Sequence, residues 1–199
     1  METIETILHF WFGTESDDAR VASAQARLWW MKHPDVDREI RERFEGTLEA
    51  AMRGELDGWR ASPRGRLALI VLADQFPRNM YRDTPRAFAY DAQARGWCLE
   101  ALDAGADQAL RPIERVFLYL PLEHSERLED QERAVALFKR LHEEAGEAAR
   151  PAFAEFLDYA YRHRDVIARF GRFPHRNRIL QRASTDEEEA FLRTPGSSF

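Results

Sequence analysis

Three short segments hold most of the side chains in this sequence that could bind a ligand or move a proton. The first two segments follow an apolar run, and all three place arginine, histidine or a carboxylate close to a proline. The segments are LADQFPRN at positions 72–79, LYLPLEHSE at 118–126 and FGRFPHRN at 170–177. Since the first and third end in nearly the same way, we predict that all three contribute to one site.

The first segment supplies Asp74, Gln75, Arg78 and Asn79. Asp74 falls on an apolar helical stripe, where a carboxylate is costly to bury unless it is paired. Arg78 and Asn79 would offer hydrogen-bond donors to an anion. The alternative is a structural Asp–Arg pair that stabilises a helix junction. Because buried ion pairs contribute little net stability, we favour a role in ligand binding.

The second segment supplies Glu123, His124 and Glu126. Histidine titrates near neutral pH and can act as an acid, a base or a ligand. Adjacent residues on a helix point about 100° apart, which argues against a catalytic Ser125–His124 pair. The segment lacks the i, i+4 histidine pair of helical zinc sites, so we predict no metal ion and no cofactor. A structural hydrogen bond, a ligand contact and metal ligation all remain open for His124.

The third segment supplies Arg172, His175, Arg176 and Asn177, placed between the end of one helix and the start of another. A helix N-terminus adds free backbone donors and the positive end of its dipole, so this arrangement favours anion binding. The alternative is a solvated basic turn that pairs with surplus acidic residues elsewhere.

Composition narrows the class of protein. The net charge of −6 and the pI near 5.6 give no electrostatic footprint for nucleic acid. No apolar stretch approaches the ~20 residues of a membrane span. The short apolar run near the N-terminus is flanked by Glu2 and Glu5 and lacks the basic region of a signal peptide. Cys98, the only cysteine, is expected to be a buried packing residue. We therefore predict a cytoplasmic protein.

Apolar residues recur at helical spacing along most of the chain, clearly so over residues 35–53 and 151–170. No segment has a convincing strand partner. We predict an all-α fold of about nine or ten helices, arranged as antiparallel pairs in one domain over residues 1–199. On the second long helix, His163 lies on the apolar face and is predicted to be a core histidine.

Local signals place several helix ends. Ser16 and Ser62 are predicted N-caps. Thr185 and Glu188 are predicted to form a capping box, and Gly171 to end the helix before it.

Two prolines are predicted to interrupt helices. Pro77 should end its helix and push Phe76 away from helical angles. Pro121 should break or kink the next one. At the C-terminus, Phe199 is expected to dock on the body of the protein.

The motifs also carry a resemblance. The stretches ILHFWFG, LADQFPRNMYR, FLYLPLEHSE, RFGRFPHRN and the closing PGSSF resemble the bacterial "domain of unknown function 924" family over essentially the whole chain. The resemblance implies an all-helical fold similar to tetratricopeptide-like repeats, and it implies no established activity. The family motifs match here at the same three clusters.

Three functional hypotheses follow. The leading one is a pocket in which Arg78, Arg172 and Arg176 bind a small anionic molecule. The second is a helical-repeat scaffold that binds a peptide or partner protein, with the tryptophans at 11, 29 and 30 as core or groove wall. The third is an enzyme using His124 or His175 as acid or base, with or without a metal ion, and Glu123 is a further catalytic candidate. The single-site idea requires Asp74 or Arg78 to contact the second or third segment.

Overall fold

The computed structural model of the protein describes residues 1–197, and within these residues it contains helices and no strand. The all-α prediction is therefore confirmed. The helices are α1 (Ile4–Phe12), α2 (Asp18–Trp30), α3 (Pro34–Met52), α4 (Pro63–Ile70), α5 (Phe76–Met80), α6 (Asp91–Asp103), α7 (Pro112–Glu123), α8 (Leu128–Glu144), α9 (Arg150–Phe170) and α10 (Asp186–Leu192). A π turn, Val71–Gln75, joins α4 to α5. The expectation for Phe199 lies outside the described residues.

Most predicted helix ends are correct. The Ser62 hydroxyl accepts the Gly65 N–H and caps α4. Thr185 and Glu188 form the predicted capping box of α10. Gly171 ends α9 with φ at 68°, in the left-handed region that favours glycine.

The predicted cap of α2 is wrong by one residue. Asp17, not Ser16, accepts the Arg20 N–H at 2.9 Å. A carboxylate also interacts favourably with the helix dipole at this end, which explains the preference.

The helix formed by α4, the π turn and α5 runs through the centre of the core, packed on α1, α3, α6 and α7. Phe76 meets Phe44 and Trp11 at ring-centroid distances of 4.5 and 5.5 Å. Burying each such ring contributes about 1.5–3 kcal/mol. Trp29 is also buried, whereas Trp30 remains 53% exposed. Cys98 is buried, as predicted.

Pro77 does not end the helix, so that prediction is wrong. In an α-helix its ring would clash with the carbonyl four residues earlier. Here the Phe76 N–H donates to the Val71 carbonyl, five residues back, and the helix widens just before Pro77. Phe76 keeps helical angles, φ −60° and ψ −37°. The extra residue in the turn accommodates the ring, and Arg78 therefore lies on a helix rather than on a loop.

Pro121 does not break α7 either. The helix continues to Glu123, and its last three turns are almost wholly buried. Packing on the core compensates for the roughly 3 kcal/mol that an interior proline costs a helix.

α7, α8 and α9 pack in succession through short connections, which makes neighbouring helices antiparallel. This pairing is compatible with a tetratricopeptide-like architecture. After α9 the chain forms a 3-10 turn at Pro174–Arg176 and folds back towards the end of α7. Within residues 1–197, no helix combines the length and apolarity needed to cross a bilayer.

Candidate functional site

Polar side chains from six elements meet at the end of α7. We call the following set the central cluster: Asp74 from the π turn, Arg78 from α5, Asp91 from α6, Glu123 from α7 and His124 directly after it, His163 from α9 and Arg176 from the 3-10 turn.

The contact between the first and second segments, predicted from the sequence, is present. His124 Nδ1 lies 2.8 Å from Oδ1 of Asp74, a residue 50 positions away in the chain and fully buried. Burial alone would raise the pKa of Asp74, but the interaction with His124 and the charge of Arg78 hold it well below the ordinary range. Asp74 is therefore ionised and can only accept hydrogen bonds. Consequently His124 carries a proton on Nδ1.

The end of α7 is held in place from α8. The Gln131 amide, which is fully buried, donates to the backbone carbonyls of Glu123 and Ser125 at 2.6 and 2.7 Å. Asp130 accepts from the Ser125 hydroxyl and from Arg95. These bonds satisfy carbonyls that a helix end leaves free, and they fix the backbone on both sides of His124.

Two arginines converge on Asp91. Nη2 of Arg78 lies 3.0 Å from one carboxylate oxygen of Asp91, and Nη1 of Arg176 lies 3.4 Å from the other. Arg176 is held between two phenyl rings, with its guanidinium carbon 4.8 Å from the centroid of Phe88 and 4.5 Å from that of Phe173. Burial, together with the charge of Arg78, lowers the pKa of Arg176 to about 10. Arg176 is thus a buried cation whose positive charge is only weakly balanced by the Asp91 carboxylate at 3.4 Å.

Two arginine Nε atoms in the cluster are also buried without a hydrogen-bond acceptor among the described residues. Nε of Arg78 and Nε of Arg176 are both buried and, within the described part of the chain, have no hydrogen-bond partner. Buried charged donors are normally paired, because leaving one unpaired costs about 1–3 kcal/mol or more. Both nitrogens belong to residues that meet at Asp91.

Glu123 is buried beside His163. Its Oε1 lies 3.2 Å from Nδ1 of His163, which also donates to the Tyr159 carbonyl at 2.8 Å. Burial and the nearby charge of Asp74 raise the pKa of Glu123 to about 8, so the carboxyl is protonated at neutral pH. Burial also lowers the pKa of His163 well below its usual value. The prediction that His163 is a buried histidine is confirmed.

Four predicted site residues lie away from the central cluster, and three of them, Glu126, Arg172 and Asn177, hold the chain after α9. Glu126 accepts two hydrogen bonds from the Arg182 guanidinium, at 2.7 and 2.9 Å. Arg172 donates to both carboxylate oxygens of Glu188, at 2.6 and 2.8 Å, and Asn177 donates to the same carboxylate. We call these five residues the C-terminal clamp. Asn79 is the fourth predicted residue placed elsewhere, since its amide donates to Asp37 on α3.

The remaining predicted residues lie in or beside the cluster. Gln75 donates its amide to Oδ2 of Asp74. His175 is half-buried near Arg176, where burial and the charge of Arg176 lower its pKa to about 4. Sequence reasoning missed Asp91, which carries no motif beyond its place at a helix start. It also missed Arg182, although that residue directly follows the third segment.

The cluster combines the guanidinium groups of Arg78 and Arg176, the carboxylates of Asp74 and Asp91, and two histidines, with His175 beside it. The pKa values of all three histidines are lowered. It reaches solvent through the side chains of His124, Arg78 and Asp91, which are 15, 20 and 21% exposed. Such a site can take an anion onto the arginines and can accept a proton on an imidazole. Among the described residues, no group of three His, Cys, Asp or Glu side chains is arranged to hold a metal ion.

Comparison with known proteins gives a family and no activity. Residues 7–196 match the family described as "Bacterial protein of unknown function (DUF924)". The fold is similar to a solved structure of a protein of unknown function from Agrobacterium tumefaciens, with 39% sequence identity, 96% of each chain covered and a TM-score of 0.81. No curated protein matches the chain. The chain therefore belongs to the bacterial family of unknown function DUF924.

Proposed function

We propose that the protein binds a small anionic molecule at the central cluster, with Arg78 and Arg176 as the binding cations. The observation that carries the proposal is the pair of buried Nε donors for which the described residues supply no acceptor. An anion with two or more oxygens would satisfy both donors. It would also supply Arg176 with the close partner that Asp91, at 3.4 Å, does not provide.

The geometry of Arg176 favours a planar or tetrahedral oxyanion. The two phenyl rings fix the guanidinium plane before a ligand arrives, so little side-chain entropy is lost on binding. A fixed guanidinium fork matches the oxygens of a carboxylate or a phosphate. We place this binding in the cytoplasm, consistent with a single buried thiol.

Arg172, one of the three arginines proposed from the sequence, is not part of this proposal. Glu188 and the Ala183 carbonyl already accept hydrogen bonds from its guanidinium. Its role is to hold the chain that carries Arg176.

Thermal unfolding with and without added anions tests the proposal. Benzoate and inorganic phosphate serve as probes, with sodium chloride at matched ionic strength as the reference. At about 100 times the dissociation constant a ligand stabilises the folded state by about 2.7 kcal/mol. For a chain of this size that corresponds to a rise in Tm of about 5–10 °C.

The matched variants are Arg176→Gln and Arg178→Gln. Both remove one positive charge from the same segment, but Arg178 is exposed and lies outside the central cluster. We expect the rise in Tm to disappear in the first and to persist in the second. Equal responses in wild type and Arg176→Gln would refute the proposal, as would the absence of any rise beyond that in sodium chloride.

A second candidate function is a scaffold that binds a peptide or partner protein. The observation in its favour is the exposure of Trp30, Met31 and Tyr159, with the Trp30 ring 6.1 Å from Phe156 on the same helix as Tyr159. Burial of the other two tryptophans of the predicted groove counts against it. Capture of partners by wild type but not by Trp30→Ala, with Arg176→Gln as the control, would favour this candidate.

A further inference from the structure

We propose that His124 is the general base of a hydrolytic reaction whose substrate is a small ester carrying a negatively charged group. This inference rests on the proposed function, because Arg176 would hold the charged end of the ester while Arg78 faces its carbonyl oxygen. It adds a reaction, a base and a nucleophile, none of which anion binding requires.

The hydrogen bond to Asp74 orients the His124 imidazole for this role. Because the Asp74 carboxylate only accepts hydrogen bonds, it holds the proton on Nδ1 of His124. Nε2 then carries the lone pair, and no hydrogen bond from a described residue reaches it. A buried carboxylate that fixes the tautomer in this way is the arrangement by which histidine bases are positioned in hydrolases.

The surroundings keep the imidazole unprotonated at neutral pH. The titratable and charged groups that face it are Asp74, Arg78, Asp91, Glu123, His163, His175 and Arg176. Burial has the largest effect, and with the charge of Arg78 it lowers the pKa of His124, while Asp74 raises it less. A neutral imidazole can accept a proton from a reacting group.

The nucleophile is assigned to water. The hydroxyl of Ser125, next in sequence, donates to Asp130 at 2.6 Å and is committed to holding the end of α7. Cys98 is fully buried, and burial raises the pKa of its thiol well above the usual value. A water molecule reaching Nε2 through the exposed edge of the cluster needs no side-chain nucleophile.

The proposed step consumes one water and involves no change of oxidation state. Nε2 of His124 takes a proton from water while the water oxygen bonds to the ester carbonyl carbon. The carbonyl electron pair moves onto its oxygen, where the guanidinium of Arg78, bonded to the same Asp74 oxygen as His124, stabilises the charge. The bond to the leaving oxygen then breaks, and the proton on Nε2 passes to that oxygen. The products are a carboxylate and an alcohol, with one proton released to solvent.

A matched pair of esters tests the inference. 4-Acetoxybenzoate carries a carboxylate, whereas its methyl ester is neutral, and both release a phenol that is followed by absorbance. We expect wild type to hydrolyse the first with the higher kcat/KM. His124→Gln should lower kcat by about 10²–10⁴-fold with little change in KM, and His9→Gln, at an exposed histidine on α1, should leave it unchanged.

A pH profile separates a base from a structural residue. The kcat of wild type should rise with pH to a plateau, with a midpoint below 6.5, because the pKa of His124 is lowered. If His124→Gln does not fold, nitrogen NMR of the wild-type imidazole decides instead. Protonation of Nε2 rather than Nδ1 would overturn the inference.

The hydrolytic role and the anion-binding site can be refuted independently of each other. Absence of turnover with both esters, or equal kcat in wild type and His124→Gln, overturns the hydrolytic role. If benzoate still raises the Tm of wild type and of His124→Gln, the anion site stands without it. If benzoate has no effect in either, the proposed function fails as well.

Discussion

Replacing Glu123 with glutamine should stabilise the protein at mildly alkaline pH. The carboxyl has a folded pKa of about 8 against an ordinary value of 4.5, so the folded state binds its proton more tightly than the unfolded state. Stability must then fall as pH rises between these two values. The histidines with lowered pKa values act in the opposite direction, but only below their unfolded pKa of 6.5.

The window from pH 6.5 to 8 therefore isolates Glu123. One pKa unit corresponds to about 1.36 kcal/mol, so the wild type should lose about 2 kcal/mol of unfolding free energy across this window. Glutamine is neutral at every pH, and Glu123→Gln should show a flat profile and exceed wild type at pH 8. Urea denaturation at half-unit intervals measures both curves.

The matched control is Glu147→Gln. Glu147 is exposed, and its replacement should leave the wild-type slope unchanged. A wild-type curve that is flat from pH 6.5 to 8, or a Glu123→Gln curve parallel to it, would show that the carboxyl is ionised in the folded protein. The electrostatic description of the central cluster would then be wrong.

Three further predictions concern stability. Asp74→Asn leaves Arg78 and His124 without their buried counter-charge and should cost about 3–5 kcal/mol in chemical denaturation; a cost below 1 kcal/mol would contradict the ion-pair description. Arg182→Ala removes the partner of a half-buried carboxylate and should cost about 1–3 kcal/mol, with faster limited proteolysis after α9; unchanged cleavage would argue against the clamp. Trp29→Ala should cost about 3–5 kcal/mol and Trp30→Ala clearly less, because the side chains are 7 and 53% exposed; equal losses would refute this.

The helix ends that were predicted correctly from the sequence are those determined by residues close together in the chain. The Ser62 cap and the pair Thr185 and Glu188 depend on residues at most three positions apart. The left-handed angle of Gly171 likewise needs only a residue without a Cβ. Apolar periodicity then identified the helices, because each must bury one face.

The prediction that Pro77 ends its helix is wrong, and Pro121 does not break α7, because burial outweighs intrinsic preference at both prolines. Each proline costs its helix about 3 kcal/mol, and the apolar residues around it contribute more than that by packing on the core. The π turn that relieves Pro77 has no motif in the sequence, since it depends on the register of the whole buried helix.

The contact between the first and second segments was predicted from the sequence, whereas the pairings of the other polar side chains were not. Asp74 and His124 stood out because polar residues at the ends of apolar runs require partners. The sequence could not decide whether Arg172 or Arg176 faced the cluster. That difference depends on Glu188 of α10, which pairs with Arg172. Arg176 pairs with Asp91 instead.

The position of Arg176 in the chain has a consequence for how the protein is made. His124 emerges from the ribosome about fifty residues before Arg176, an interval of roughly 3–10 s at normal rates of synthesis. During that time Phe88 and Asp91 lack their contacts with the Arg176 guanidinium. A growing chain therefore lacks the complete central cluster, and a message truncated within α9 yields a product without Arg176.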